Sequence, residues 1–506
     1  MTEEAQPQSD TRPRPLGSRL FELSRHSLIY GVGGLTSRFL AVLMLPLYTS
    51  YVSVGDYGRI ELLMSVMAVA VVVIRGGANF GFIRWYFLDK APEYRQRLVR
   101  TVFWAQMGYS TLALALCVIF ASEIAQLLGV NYRPGAALQG SGTSLVIATA
   151  VLLWVNINYA QMTNLFRAEQ RSVAFSIATL LNIGITVPLT VILVVVYHEG
   201  PLGIIVGNLS GTLLVFIALL GYRREQLGLQ FDRKLLHNMN RFGFPLMASA
   251  LAGWVMNFGD RLMLAKLLHG TYALNQLGQY SLANKIASAM VLLFTAFQVA
   301  WPAFAYSIED EREAKRTYSF VLTYLMFIAA WTALGLSLFA PWIVRLLAPS
   351  RPGYWPAAEA IPALAYASVF FAGFIVVTIA TGRSRRVQFN WVAMTAGAGL
   401  NFALNIWLIP AYGMLGAAYA TLAGFILIMV LRTWNAQKVY PVRYQWRRVV
   451  VLVLAAGALT AIGKEMPHSL VLAIGLTLVY PLLLAAFGFY LPAERKRLRR
   501  LLPAHN

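Results

Sequence analysis

The sequence predicts an all-α integral membrane protein of about 14 transmembrane helices. Two six-helix bundles, related by an axis along the membrane normal, are followed by two C-terminal helices. Three observations predict this. Hydrophobic residues make up 58% of the chain and charged residues 12%, against about 45–50% and about 25% in soluble domains. Apolar runs of 20 or more residues recur from end to end, each long enough to cross a hydrocarbon core of about 30 Å as a helix. Lys and Arg are also segregated. With the N-terminus placed in the cytoplasm, 32 of the 42 fall on inner segments, 6 on outer segments and 4 inside spans. That asymmetry follows the positive-inside rule and requires an even span count with both termini cytoplasmic. It also reads the net charge of +21 as a topology signal rather than a nucleic-acid footprint.

Residues 1–25 are polar, carry Arg12, Arg14, Arg19 and Arg25, and form a cytoplasmic tail. They lack an apolar core with a small-residue cleavage site, so no cleaved signal peptide is expected. The expected spans are 28–52, 60–82, 99–121, 143–163, 173–197, 202–222, 242–268, 280–306, 318–346, 357–380, 387–412, 415–434, 449–466 and 470–491. The thirteenth has the shortest apolar part. These spans divide into a first lobe at 26–226, a cytoplasmic linker at 227–241, a second lobe at 242–438, and the last two helices with a basic tail at 439–506. The lone cysteine, Cys117, sits in an apolar run and has no partner for an internal disulfide.

Internal echoes support two lobes. Residues 37–58 (SRFLAVLMLPLYTSYVSVGDYG) align without a gap with 260–281 (DRLMLAKLLHGTYALNQLGQYS), pairing Arg38 with Arg261, Leu45 with Leu268, Gly55 with Gly278 and Tyr57 with Tyr280. RSVAF at 171–175 echoes RRVQF at 385–389, and the hairpin GPLG at 200–203 echoes GMLG at 413–416. Lobes repeated in the same orientation bind substrate between them, near the midplane.

Four cations fall inside spans: Arg38, Arg75, Arg261 and Lys285. A charge at the centre of a span costs at least about 2.5–3.5 kcal/mol, so it should face a cavity or a partner. All four lie on spans one, two, seven and eight, the first hairpin of each lobe. They are the candidate substrate-binding residues of a cationic lumen. The competing reading is structural: Arg38 meets a carbonyl or helix dipole, and Arg75 and Lys285 snorkel to a surface. Asp260 is the only acid deep in a span and is a candidate ion-coupling residue; neutralising Arg38 or Lys285 is its alternative role. Glu61, near the outer end of span two, is expected at the interface. Amides punctuate the spans at Asn79, Asn156, Asn158, Gln161, Asn164, Asn182, Asn257, Gln298, Asn401 and Asn405. They would serve either glycan hydroxyls or interhelical hydrogen bonds.

Catalytic signals are absent. GALTAIGKE at 457–465 misses a P-loop by one residue and has Glu where Ser or Thr would hold magnesium. The chain has six His without metal-ligand spacing, and its loops are too short to house a soluble catalytic domain. No enzyme activity, cofactor or metal is expected.

SLIYG at 27–31, PLY at 46–48 and GDYG at 55–58 resemble the start of bacterial polysaccharide-unit flippases. The Arg-containing turn before span eleven and the GMLG hairpin do as well. These are the Wzx-type oligosaccharide flippases of the multidrug/oligosaccharidyl-lipid/polysaccharide exporter superfamily. The resemblance runs over residues 25–491. It implies two bundles in a V, with spans one, two, seven and eight lining a cationic lumen. It further implies alternating-access movement of undecaprenyl-(pyro)phosphate-linked oligosaccharides across the bacterial cytoplasmic membrane, for O-antigen, capsule or exopolysaccharide assembly. The implied partners are the lipid-linked substrate, membrane lipid, and a polysaccharide polymerase with chain-length machinery. A peptidoglycan lipid-precursor flippase and a multidrug or cation exporter are the alternatives within the superfamily. An exporter of cations would want buried carboxylates, whereas here cations outnumber acids inside the spans. A membrane scaffold would leave the buried cations unused.

Overall fold

The structure is a computed structural model describing residues 40, 42–131, 140–384, 389–466, 469–492 and 494. Among these residues no strand forms. The helices are α1 (Leu45–Tyr51), α2 (Val54–Leu88), α3 (Pro92–Ile119), α4 (Ala121–Leu127), α5 (Gly142–Ala168), α6 (Ser172–Val191), α7 (Gly200–Tyr222), α8 (Arg233–Trp254), α9 (Asp260–Leu267), α10 (Gly270–Ser307), α11 (Glu311–Leu338), α12 (Ala340–Leu347), α13 (Ala357–Arg383), α14 (Phe389–Tyr412), α15 (Met414–Val439), α16 (Trp446–Glu465) and α17 (Leu470–Ala486). Among the described residues, eleven helices are long and apolar enough to cross a membrane. α17 is apolar but has only 17 residues. The near-miss P-loop at 457–465 lies inside α16, where no phosphate loop can form.

The expected seventh span is divided. α8 passes through a π turn, Val255–Gly259, before α9 begins at Asp260. Such a turn inserts one residue and rotates the downstream helix by about 100° relative to an unbroken one. The helix after the break, α9, carries three charges, Asp260, Arg261 and Lys266, in eight residues. The expected linker also differs. It is helical from Arg233, where Asp232 Oδ1 accepts the Leu235 N–H at 3.0 Å. Leu235, Leu236 and Met239 on its apolar face join a core cluster with Tyr86 and Leu98.

The first and second halves of the sequence meet along α2, which packs against α8 and α10. Near its start α2 crosses α10 reciprocally. A Cβ on Gly58 would overlap the Leu274 carbonyl, and one on Gly278 would overlap the Val54 carbonyl. The crossing therefore brings Gly58 and Gly278 face to face. Further along, α2 is broken at Gly76, with φ 56° and ψ −164°. The Ala78 N–H freed by the break donates to Asn240 Oδ1 on α8 at 2.8 Å. The echoed hairpins have a common backbone cause: Gly200 and Gly413 both have positive φ, 51° and 55°.

Gly58→Ala should therefore lower stability by about 1–3 kcal/mol through overpacking. Gly108→Ala, with open space around its Cβ position, should be neutral or mildly stabilising. Thermal melting of detergent-purified variants, followed by size-exclusion peak height, checks the contrast.

Candidate transport site on α9 and α10

Two consecutive residues of α9 meet two consecutive residues of α10. Tyr280 Oη donates to Asp260 Oδ2 at 2.5 Å. Arg261 Nε donates to Ser281 Oγ at 3.3 Å. Neighbouring residues on a helix point about 100° apart, so the Asp260 and Arg261 side chains serve separate clusters one peptide bond apart.

Asp260 faces α14 and α15. Asn401 Nδ2 and Asn405 Nδ2 donate to its Oδ1 at 3.0 and 2.6 Å, and Thr421 Oγ1 donates to its Oδ2 at 2.6 Å. With Tyr280, the buried carboxylate has four neutral donors and, among the described residues, no ion pair. This corrects the expectation that Asp260 neutralises Lys285. Asn405 Oδ1, beside it, is buried without a hydrogen-bond partner among the described residues.

Arg261 faces α2. The Glu61 carboxylate stands between Lys285 Nζ, 2.5 Å from Oε1, and Arg261 Nε, 3.6 Å from Oε2. Glu61 is buried inside the protein, because the α2–α10 crossing carries it against Lys285. Arg261 is also held by the Asn257 carbonyl, which accepts from Nη1 at 2.8 Å. The Lys285 side chain is 32% exposed, and its Nζ lies 5.0 Å from the Tyr57 ring centroid. Two cations share one carboxylate, which leaves an excess positive charge.

Arg75 stands apart, 14 residues beyond Glu61 on α2 and so about 21 Å along the axis. Its Nε and Nη2 are buried without a hydrogen-bond partner among the described residues. Arg38 lies outside the described residues. Some cations expected in loops are instead buried: Arg59 pairs with Asp56 at 2.9 Å and Arg223 with Glu169 at 2.9 Å.

A family described as "Polysaccharide biosynthesis protein" matches residues 51–351. The chain belongs to that family. This polysaccharide biosynthesis protein is 23% identical to the lipid III flippase of Escherichia coli (strain K12) over 422 residues, covering 79% of this chain and 93% of that one. It is 22% identical to the succinoglycan biosynthesis transport protein ExoT of Rhizobium meliloti (strain 1021) over 407 residues, covering 79% and 75% of the two chains. A match to the uncharacterized membrane protein MJ1068 of Methanocaldococcus jannaschii, 25% identical over 230 residues, spans 44% of each chain. Among solved structures, lipid II flippase MurJ in an inward closed conformation superposes with a TM-score of 0.73 at 14% identity, over 91% of this chain and 99% of that one. An inward-facing MATE transporter of the MOP superfamily gives 0.63 at 13% identity, over 80% and 97%. The polysaccharide biosynthesis protein thus has the fold of the multidrug/oligosaccharidyl-lipid/polysaccharide exporter superfamily. It is a multi-pass membrane protein, and the relatives named above are described as flippases or transport proteins.

Several of the amides act inside the fold of this family member. Asn158 Nδ2 donates to Ser110 Oγ at 3.0 Å, Asn182 Nδ2 to Thr212 Oγ1 at 3.1 Å, and Asn257 Nδ2 to the Gly253 carbonyl at 2.7 Å. Residues that sequence reasoning did not single out for the site are Glu61, Tyr280, Ser281 and Thr421. The available signal was the i,i+4 spacing of Asn401 and Asn405, which puts two amides on one helix face.

Removing Glu61 leaves two cations without their carboxylate. Glu61→Gln should lower stability by up to about 3 kcal/mol, the low end for a broken buried pair because Lys285 is only partly buried. Adding Lys285→Met should restore part of the loss. Thermal melting of the single and double variants measures both.

Proposed function

We propose that this protein is a flippase for undecaprenyl-(pyro)phosphate-linked oligosaccharide units. It moves them from the inner to the outer leaflet of the bacterial cytoplasmic membrane by alternating access, in O-antigen, capsule or exopolysaccharide assembly, with both termini cytoplasmic. A polysaccharide polymerase and chain-length machinery act on the same product. The observation that carries this reading is the excess positive charge around Glu61, between α2 of the first half and α9–α10 of the second. The names of the lipid III flippase and succinoglycan relatives support it.

A pyrophosphate needs paired, desolvated donors, and Arg contacts to it are strong and directional. In this reading Glu61 is the stand-in anion of the empty carrier, and the substrate's phosphates displace it from Lys285 and Arg261. Arg75, with two unused buried donors, receives the headgroup nearer the other end of α2. Arg38 completes the cationic lumen. The lipid tail stays in the bilayer while the glycan crosses between the two lobes.

Asp260 is the proposed coupling residue. A proton on its carboxylate, or a sodium ion at it with the Asn amides turned to present their oxygens, would remove its negative charge from the donors around it. Because Arg261 is the next residue, a turn of α9 that refits Asp260 also shifts Arg261 against Glu61.

A second reading, a peptidoglycan lipid-precursor flippase, is favoured by the extent of the MurJ superposition. Cells depleted of their own precursor flippase separate the two: rescue by this chain selects the second reading, and no rescue the first.

Arg38→Ala, Arg75→Ala, Arg261→Ala and Lys285→Ala should each reduce surface glycan by about tenfold or more at normal membrane abundance, the loss of one strong charge-assisted contact. Normal export by all four would overturn the cationic-lumen reading. Asp260→Asn should make transport in vesicles insensitive to an imposed proton or sodium gradient; an unchanged response would remove Asp260 from coupling.

A further inference from the structure

A second basic region lies outside the transport site, where α11 begins and α15 passes into α16. A cavity of about 650 Å³ opens there, lined by Arg312, Lys315, Arg316, Phe320, Arg443 and Gln445 among others. The first three of these and Ser319 recur at helical spacing on one stripe of α11. The acids of the same segment, Glu309, Asp310, Glu311 and Glu313, do not line the cavity. Asp310 is used as a cap, its Oδ1 accepting the Glu313 N–H at 2.6 Å. Glu311 lies 3.6 Å from Lys315 and is mostly exposed. Arg312, Arg316 and Arg443 form no ion pair with a described acid.

The wall opposite α11 is held in place. Ser319 Oγ donates to the Arg443 carbonyl at 2.8 Å, tying the connection to α11. Gln437 clasps Val442 at both backbone groups, donating to its carbonyl at 2.6 Å and accepting from its N–H at 3.2 Å. Gln445 Oε1 accepts from Arg448 Nη1 at 2.6 Å, and Arg448 pairs with Glu494 at 2.9 Å. The backbone is thus fixed by its own partners, while the Arg312, Arg316 and Arg443 guanidinium groups are left without a described carboxylate; Arg316 lies 5.8 Å from the Phe320 ring centroid and Lys315 Nζ 4.8 Å from that of Tyr440. Phe320 supplies an apolar edge, and Trp446 next to the cavity is partly exposed. Aromatics beside cations mark the boundary between headgroups and acyl chains.

We infer that this cavity binds the phosphate headgroup of an anionic phospholipid, with Arg312, Arg316 and Arg443 as its ligands and Lys315 as a supporting charge. Basic pockets between membrane helices recognise such headgroups by charge, and each Lys or Arg near the surface strengthens the attraction. Phe320 and the adjoining helix surface take the first part of the acyl chains. The site is separate from the Glu61 and Asp260 clusters and is independent of which glycan is carried.

The test uses the full-length chain in detergent, titrated with phosphatidylglycerol and, in parallel, phosphatidylcholine, with bound lipid read by native mass spectrometry. The intact protein should bind phosphatidylglycerol more tightly, with an affinity that falls as salt rises. Combining Arg312→Gln, Arg316→Gln and Arg443→Gln should weaken binding about a hundredfold, about fivefold per charge. Replacing the same three by Lys should retain most of it. Arg224→Gln, Arg233→Gln and Lys234→Gln together, an equal charge loss at exposed positions elsewhere, should have little effect. Each triple variant is first checked for an unchanged size-exclusion profile, and the three single Gln variants, each expected to weaken binding about fivefold, stand in if the triple Gln variant fails to fold. Equal loss in the Arg224 control, equal binding of phosphatidylcholine, unchanged binding in the Gln variant, or competition by inorganic phosphate at the potency of the lipid would each overturn the proposal.

Discussion

The Glu61 carboxylate between Lys285 and Arg261 is the contact on which the arrangement of the halves depends. Three helices bring one charge each to a place where an unpaired charge costs several kcal/mol. Neither cation can be buried without the carboxylate, and α2 can bring the carboxylate there only by crossing α10 closely. Gly58 and Gly278 make that crossing possible. The electrostatic requirement and the steric one therefore select the same helix crossing.

The Asp260 cage is built on the opposite principle. Its charge is distributed over neutral donors from α10, α14 and α15 rather than cancelled by a cation. A carboxylate held by hydroxyls and amides keeps its negative charge available, because those donors can turn and a fixed guanidinium cannot. The π turn before Asp260 places the two principles on adjacent residues. One faces the second half's own core; the other faces across to the first half.

Much of the architecture was legible because membrane burial writes itself in long apolar runs, and the GPLG and GMLG hairpins recur because both need a glycine at positive φ. The cations at Arg261 and Lys285 stood out for the same reason: charge is rare in such runs. The partners of Glu61 were not legible, because its closest one, Lys285, lies 224 residues away in sequence. Thr421 and Tyr280 gave no signal of their own, since hydroxyls are ordinary in membrane helices. The π turn had none either, as no residue type demands it.

The break at Gly76 separates α2 into two lengths of unequal environment. The upper length is tied to α10 through Gly58 and Glu61, the lower to α8 through Asn240. Because Asn240 satisfies the interrupted backbone, the break is a joint at rest rather than a fault under tension. A rigid rod between the two ends of a carrier would force both mouths to move together, and a passage open at both ends would discharge the ion gradient across the membrane. A jointed rod lets one mouth be sealed by its own contacts while the other rearranges.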